Sequence, residues 1–317
     1  MPKPSSIKLR ADPYGKFARA SALADFLESI AAHRGSALRT DLELSLKRGG
    51  WYRVQRGLFT TDPDIDLANI ESLENEDGTE DLDDPDWPDW AMSVLKQRSD
   101  VLGPSYPFVV RDDGVDVAAD WEHSDYGRLL VLTMAHAYGA VLRVDPRTIF
   151  ERLIVSAFTS MGLTAVGMGT ATTRGRDFAS QLQEAATAVG LTAAQVPYPS
   201  RTFAKDAGVD AIGVFGWGDR RPGQLVLIAQ ATLTSSARWE YKITEPKPHH
   251  WVGYLQETLH PIGMLAVPHH IEDEHLRFLL SPYATVIDRL RLVGRLGGAT
   301  EGEDDALAWF VSSELEY

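Results

Sequence analysis

The chain contains no cysteine among its 317 residues. That excludes disulfides, thiolate metal sites and cysteine nucleophiles, and it fits a reducing compartment. No stretch approaches the roughly 18 to 20 uncharged apolar residues that a bilayer span needs. The first ten residues, MPKPSSIKLR, lack the apolar centre of a secretory signal. The expectation is therefore a cytoplasmic protein with no membrane partner. Positive charge is also scarce, since 31 Lys and Arg stand against 45 Asp and Glu for a net charge of −14. Taken alone, that balance opposes binding to nucleic-acid phosphates.

The excess of acid is concentrated in two places. The segment Glu71 to Asp89, ESLENEDGTEDLDDPDWPD, holds ten acids and no base, and reads as a solvated loop or as an acidic mimic of nucleic acid. From Glu301 to the end there are six acids and no Lys or Arg, an acidic C-terminal tail. Between them, Asp145 to Thr300 carries 14 acids and 15 bases and is close to neutral. With 44% hydrophobic residues there is material for two compact units. They divide as residues 1–144, residues 145–300 and the tail 301–317.

The first unit reads as mainly helical. Leu23, Phe26, Leu27, Ile30 and Ala31 recur at helical spacing and predict an amphipathic helix over Ala20 to Ala32, followed by a second over Leu38 to Leu46. The pair is either plain helical packing or a DNA-docking helix-turn-helix. Trp90 to Leu102 and Asp125 to Tyr138 predict further helices, and Tyr106 to Ala118, turning at Asp112-Asp113-Gly114, predicts a hairpin. No constellation of acids, bases or metal ligands appears there, so this unit reads as a positioning domain for a substrate, a partner or DNA.

The second unit opens at Asp145-Pro146, a helix cap followed by a preorganised first turn. Phe150, Leu153, Ile154, Ala157, Phe158 and Met161 line one face, with Glu151 at its margin, and Gly162 ends the helix. The Gly-rich stretch Gly167 to Arg176 lacks the Gly-Lys-Ser/Thr ending of a phosphate loop and reads as a turn. A helix over Phe178 to Val189 follows. Val209 to Phe215 and Gln224 to Thr232 then predict two strands joined by GWGDRRPG, apolar on both faces as in a sheet covered by helices. Ile262 to Val267 predicts another strand, and Tyr283 to Leu296 a closing helix.

Asp210 and Gln230 are polar positions inside that apolar pair, and burying such groups without partners costs a few kcal/mol each. A hairpin turning near Asp219 sets residues whose numbers sum to about 440 opposite one another, so Asp210 faces Gln230 with Cβ atoms roughly 5 Å apart. Either residue alone is explained by a turn cap or a main-chain hydrogen bond. Together, a carboxylate and an amide oxygen suit Mg²⁺ or Mn²⁺, with waters and phosphate oxygens completing the shell. Six of the nine histidines fall between His249 and His275, but neither adjacent pair, His249-His250 nor His269-His270, has the spacing of a helical zinc site. They read as loop and surface residues.

With the helix carrying Phe150-Glu151, the Lys205-Asp206-x-Gly-x-Asp210 segment entering a strand, and a second strand ending at Gln230, the region from about Asp145 to Arg295 resembles the PD-(D/E)XK nuclease superfamily. The nearest branch is the Mrr-like restriction endonucleases of prokaryotic defence. The resemblance implies an α/β restriction-endonuclease-like mixed sheet flanked by helices and preceded by the helical N-terminal domain. It also implies phosphodiester hydrolysis, of DNA by expectation, with Asp210 and Gln230 on the metal and Glu151 assisting. The family's lysine, two residues beyond the Glu or Gln, is here Thr232, so Lys242, with Lys205 second, is expected to supply it. Arg220, Arg221, Arg238 and Lys247 are candidate phosphate contacts. The competing readings are a catalytically inactive nuclease fold that binds DNA or scaffolds a defence complex, and a protein-interaction module centred on the acidic segment. A free nuclease endangers its host, so control by a protein partner, by homo-oligomerisation or by the acidic segment is expected.

Overall fold

A computed structural model of the chain describes residues 6–8, 18–49, 87–118, 120–168, 178–194, 207–219, 221–256, 258–282 and 284–316. Lys205, Arg220, the acidic stretch as far as residue 86 and the Gly-rich stretch beyond residue 168 lie outside them. The first part contains β1 (Ser6–Lys8), α1 (Arg19–Arg34), β2 (Ser36–Leu38), α2 (Arg39–Gly49), α3 (Trp87–Leu102), β3 (Phe108–Arg111), β4 (Gly114–Val117) and α4 (Asp125–Ala137). Then come α5 (Pro146–Ser160), β5 (Thr164–Gly167), α6 (Phe178–Ala188), β6 (Thr192–Ala193), β7 (Ala211–Phe215) and β8 (Leu225–Ala231). The chain continues with α7 (Trp239–Lys242), α8 (Pro248–Tyr254), β9 (Leu255–Gln256), β10 (Ile262–Ala266), α9 (Asp273–Leu279), β11 (Ala284–Ile287), α10 (Arg289–Leu292), α11 (Glu303–Ser312) and β12 (Glu314–Glu316).

The architecture is mixed α/β, organised on a five-stranded sheet in the order β11-β10-β8-β7-β5. β5, β7 and β8 form an antiparallel meander. After α7 and α8 the chain returns as β10, parallel to β8, and after α9 as β11, parallel to β10. The hairpin register is the one expected, with Ala211 opposite Ala229. Helix α5 starts where Asp145 accepts a hydrogen bond from the Arg147 N–H at 2.8 Å. Its Phe150, Leu153, Ile154, Ala157 and Phe158 cover one face of the sheet together with Ala211 and Ala229. A Cβ at Gly213 would lie 2.7 Å from the Phe158 ring, so a glycine there lets the helix approach the strand closely. Phe178, Leu182, Trp251 and Tyr254 cover the other face with Ile212, Val214, Val226 and Ile228.

A further hydrophobic cluster joins α1, α3, β3, β4 and α4 to Leu265, Val267 and Val286 at the ends of β10 and β11, and to Ala306 and Phe310 of α11. Four expectations are corrected here. Helix α1 is not amphipathic in its setting, because every residue from Ala20 to Ala31 is buried, including Ser21, Asp25, Glu28 and Ser29. It therefore offers no open face to DNA, and the link to α2 contains β2, which pairs with β4, so the plain-packing alternative to a helix-turn-helix is realised. Residues Tyr283 to Leu296 are not one helix. Thr285, Val286 and Ile287, β-branched and buried or half-buried, pair with β10 as β11, and Asp288 then caps the short α10 through the Arg291 N–H.

The stretch from Glu301 is not a tail, because residues 303–312 form α11 with Phe310 fully buried and with the carboxylates of Glu303 and Asp305 matched to bases. Glu303 takes the Arg128 Nε–H at 2.6 Å, and Asp305 pairs with Arg143. Finally, His269 and His270 are buried and not surface residues, although His249 and His250 are exposed. Among the described residues, no helix is long and apolar enough to cross a membrane.

Candidate functional site

Asp210 stands at the start of β7, at the sheet end where β8, β10 and β11 finish. The chain reaches it through Ala207 (φ 52) and Gly208 (φ 72), two successive left-handed residues. Gly208 has a second constraint, because a Cβ there would lie 2.5 Å from the Glu245 carbonyl oxygen. The turn carrying Glu245 thus packs directly on the turn that aims Asp210. Asp210 itself is buried and held at several atoms. Its N–H donates to the Ala229 carbonyl and its carbonyl accepts from the Met168 N–H, both at 2.7 Å. Its Oδ2 accepts from the Ala231 N–H at 2.7 Å.

Gln230, also buried, donates from Nε2 to the Ala231 carbonyl at 3.4 Å. The two side chains are therefore bonded to the main chain of one residue, Asp210 to the N–H and Gln230 to the carbonyl of Ala231. Both supply oxygen, the donor type hard divalent cations take. A carboxylate oxygen has more than one lone pair, so the bond from Ala231 does not use up Asp210 as a ligand. Among the described residues no three His, Asp or Glu side chains gather as a metal-binding group, so an ion here would depend on this carboxylate, the amide and non-protein oxygens.

The other sequence candidates are placed less favourably. Ala229 and Ala231 pack towards α5, so alternation along β8 turns Gln230 to the opposite face, with Val226 and Ile228. Glu151 is buried on α5, the helix that covers the Ala229 face of the sheet, whereas Gln230 lies on the other face. Thr232 is buried and its hydroxyl is shared with that of Thr234 at 2.9 Å. Lys242 ends α7 with its Nζ 2.8 Å from Glu245 Oε2, which sets it beside the turn leading to Asp210 but pairs it with a carboxylate. Arg238 is half-buried at the start of α7, and Lys247 is exposed just before α8. Arg221 is exposed in the hairpin turn, at the far end of β7 and β8 from Asp210, so sequence proximity to the pair does not become spatial proximity.

A second polar cluster, missed in the sequence, lies at the same end of the sheet. The Arg289 guanidinium grips Asp25 with two bonds of 2.7 and 2.8 Å. Arg98 lies 2.7 Å from Asp25 and 2.9 Å from Glu28. Tyr126 donates to both Glu28 oxygens at 2.7 and 2.9 Å, and Tyr106 donates to the same carboxylate. Arg98 also donates from Nε to His270 Nδ1 at 3.3 Å, and Arg289 from Nε to the Pro268 carbonyl at 2.7 Å. Because Arg98 is always a donor, His270 Nδ1 must accept and its proton sits on Nε2. Burial tends to lower the pKa of both guanidinium groups, but the carboxylates, Asp25 chiefly for Arg289 and Glu28 chiefly for Arg98, outweigh it and raise both. Burial pushes both tyrosines up, and it holds His269 down at about 3.

The one sequence signal for this cluster was Asp25 and Glu28, three residues apart on an otherwise apolar helix, a pattern that equally describes a solvent-facing stripe. No family model, curated protein or solved structure matches the chain.

Proposed function

We propose that the chain is a metal-dependent nuclease that hydrolyses phosphodiester bonds, of DNA in the first instance, in a prokaryotic defence or restriction setting. The observation that carries this reading is that the Asp210 and Gln230 side chains both bond the main chain of Ala231 at the sheet end, one at its N–H and the other at its carbonyl. It is supported by strand order: helix α5, an antiparallel meander, a helical crossover and a parallel strand, the succession of a restriction-endonuclease-like core. Asp210 and the Gln230 oxygen would hold Mg²⁺ or Mn²⁺, which would lower the pKa of a bound water and offset charge on the phosphate. Asp210 is the fixed ligand, because its main chain is bonded on both sides and its turn is locked by Gly208. Lys242, paired with Glu245 beside the turn that leads to Asp210, would replace the lysine absent at Thr232 once substrate draws it from Glu245. Glu151, across the sheet from Gln230, is left out of the liganding pair. A protein partner or a second copy of the chain is the expected control on activity.

A second reading is favoured by Thr232, whose hydroxyl is committed to Thr234: a nuclease fold without catalysis, serving as a DNA-binding or scaffolding subunit. The test is incubation of the purified protein with plasmid, single-stranded DNA and RNA in Mg²⁺, Mn²⁺ or EDTA, beside Asp210→Ala. The nuclease reading expects metal-dependent cleavage that the variant loses. Absence of cleavage in every condition, with equal DNA binding by both proteins, selects the second reading.

A further inference from the structure

The strand that carries Gln230 runs on into a stretch rich in hydroxyls: Thr232, Thr234, Ser235 and Ser236. The Thr232 N–H bonds the Ala266 carbonyl, so the ladder between β8 and β10 continues one residue past Ala231. Strand alternation then puts Thr232 on the face of Gln230, about 7 Å further along. Ala231, between them, is the residue whose N–H the Asp210 carboxylate accepts.

Thr234 is fixed at three atoms. Its N–H donates to Thr232 Oγ1 at 3.2 Å, its carbonyl accepts from the indole of fully buried Trp239 at 3.1 Å, and its hydroxyl lies 2.9 Å from that of Thr232. Two hydroxyls joined by one bond spend one of their two protons on each other and keep the second. Among the described residues neither hydroxyl has another acceptor. Burial decides which of them keeps the proton. Thr232 is 5% exposed, where a proton without an acceptor is costly, whereas Thr234 is half-buried. Thr232 therefore donates to Thr234, and the Thr234 hydroxyl has a proton left to give. Ser236, buried in the same loop, adds a hydroxyl without a partner among the described residues. Residues 232–238 carry a single charge, that of half-buried Arg238, and the next acid along the chain, Glu240, is exposed. Beside Gln230 the loop thus offers donors and no negative charge, the complement of an anionic oxygen.

We propose that Thr234 donates its hydroxyl proton to a non-bridging oxygen of the substrate's phosphodiester, and that Thr232 is a positioning residue that aims it. That the oxygen belongs to a phosphodiester rests on the nuclease reading, whereas the proton available on the pair does not. Thr232 stands where the family that the chain resembles has a lysine. A hydroxyl carries no charge, so the pair supplies orientation and leaves the offsetting of phosphate charge to a cation.

The experiment measures fluorescence anisotropy of a short labelled DNA duplex, in EDTA and again in Ca²⁺. It compares wild type with Thr234→Val, Thr234→Ser, Thr232→Val and the double valine variant, each with its urea unfolding midpoint. Thr234→Val should weaken binding about tenfold, the worth of one hydrogen bond to a charged group. Its salt dependence should not change, because a hydroxyl neutralises no phosphate and releases no counterion. Thr234→Ser should restore the affinity. Thr232→Val leaves the Thr234 hydroxyl present but unaimed and should weaken binding by a smaller factor, and the double variant should lose no more than Thr234→Val alone. Lower unfolding midpoints with DNA affinity unchanged would make the pair structural and overturn the proposal. So would single losses that multiply in the double variant, or failure of wild type to bind in either condition. Affinity lost in Thr234→Val, with no cleavage by wild type in any metal, leaves the hydroxyl contact standing and removes the nuclease reading alone. Cleavage by wild type, with affinity unaltered in Thr234→Val, does the opposite.

Discussion

Two sets of buried polar side chains sit at the same end of the sheet. Asp25, Glu28, Arg98 and Arg289 balance two negative charges against two positive ones, and their side chains are fully buried. Asp210 and Gln230 instead bond the main chain of one residue, Ala231, and bring one formal charge between them. The first arrangement has what a structural cluster needs: paired charge, and partners contributed by α1, α3 and α10 that hold distant parts of the chain together. The second has what a ligand site needs: oxygen donors fixed by backbone, with charge left to attract a cation. Burial of charge alone therefore does not mark a functional site.

The largest expected effect breaks the first set. Arg289→Met leaves Asp25 and Glu28 facing Arg98 alone, an uncompensated buried charge that should cost about 3–5 kcal/mol of folding stability. Asp210→Asn keeps an oxygen to accept the Ala231 N–H and should cost only about 1 kcal/mol, while weakening the hold on a cation. Urea unfolding of both variants reads the contrast directly. Equal losses would mean that the two sets do the same structural work and that the division drawn here is mistaken.

The next effect is on pH dependence. His269 and His270 are held neutral, chiefly by burial, with the positive charges of Arg289 and Arg98 acting in the same direction and Asp25 opposing. The groups that face His270 are Asp25 and Glu28 on α1, Arg98 on α3 and Arg289 on α10, with Glu272 nearby in sequence and its neighbour His269. Unfolded, each imidazole takes up its proton near the ordinary value of 6.5, whereas folded His269 does so only at about 3. Below about pH 6.5 the unfolded chain thus binds more protons, and stability falls with falling pH by up to about 1.4 kcal/mol per unit for each histidine. His270→Asn keeps an acceptor near Nδ1 for Arg98 and cannot titrate. Its stability between pH 6.5 and 5 should decline with one proton less of slope than wild type. Glu28 and Asp288, both raised mainly by burial, act in the opposite direction but are common to the two proteins and cancel in the difference. Identical slopes would show that the His270 pocket admits water.

What could be read beforehand follows the same division. The hairpin register was legible because two apolar runs and a Gly-rich turn fix which residue numbers face each other, and Asp210 and Gln230 followed from it. The α5 start was legible because Asp-Pro is a local cap signal. Strand β11 was not, because Leu290, Leu292, Val293 and Leu296 extend a helical periodicity through a segment whose fate is decided by pairing with β10. The charged cluster was illegible for a deeper reason: Asp25, Arg98 and Arg289 are far apart in sequence, and each looks like an ordinary surface charge until the chain closes around it.

The smallest effect gives the sharpest form of the comparison, because it uses the same chemistry. Arg143 grips Asp305 of α11 with two bonds of 2.5 and 2.8 Å, the same two-pronged geometry with which Arg289 grips Asp25. The difference is setting, since the Arg143 side chain is 82% exposed and the Arg289 side chain fully buried. In water the free ions are already well solvated, and ordering two side chains cancels much of the attraction. Arg143→Ala should therefore leave the unfolding midpoint unchanged within error at physiological salt, with any small shift at low ionic strength disappearing as salt is added. A clear loss at high salt would mean that Arg143 stabilises α11 by packing its aliphatic stem, and bond geometry would then be a poor guide to which pairs hold this fold together.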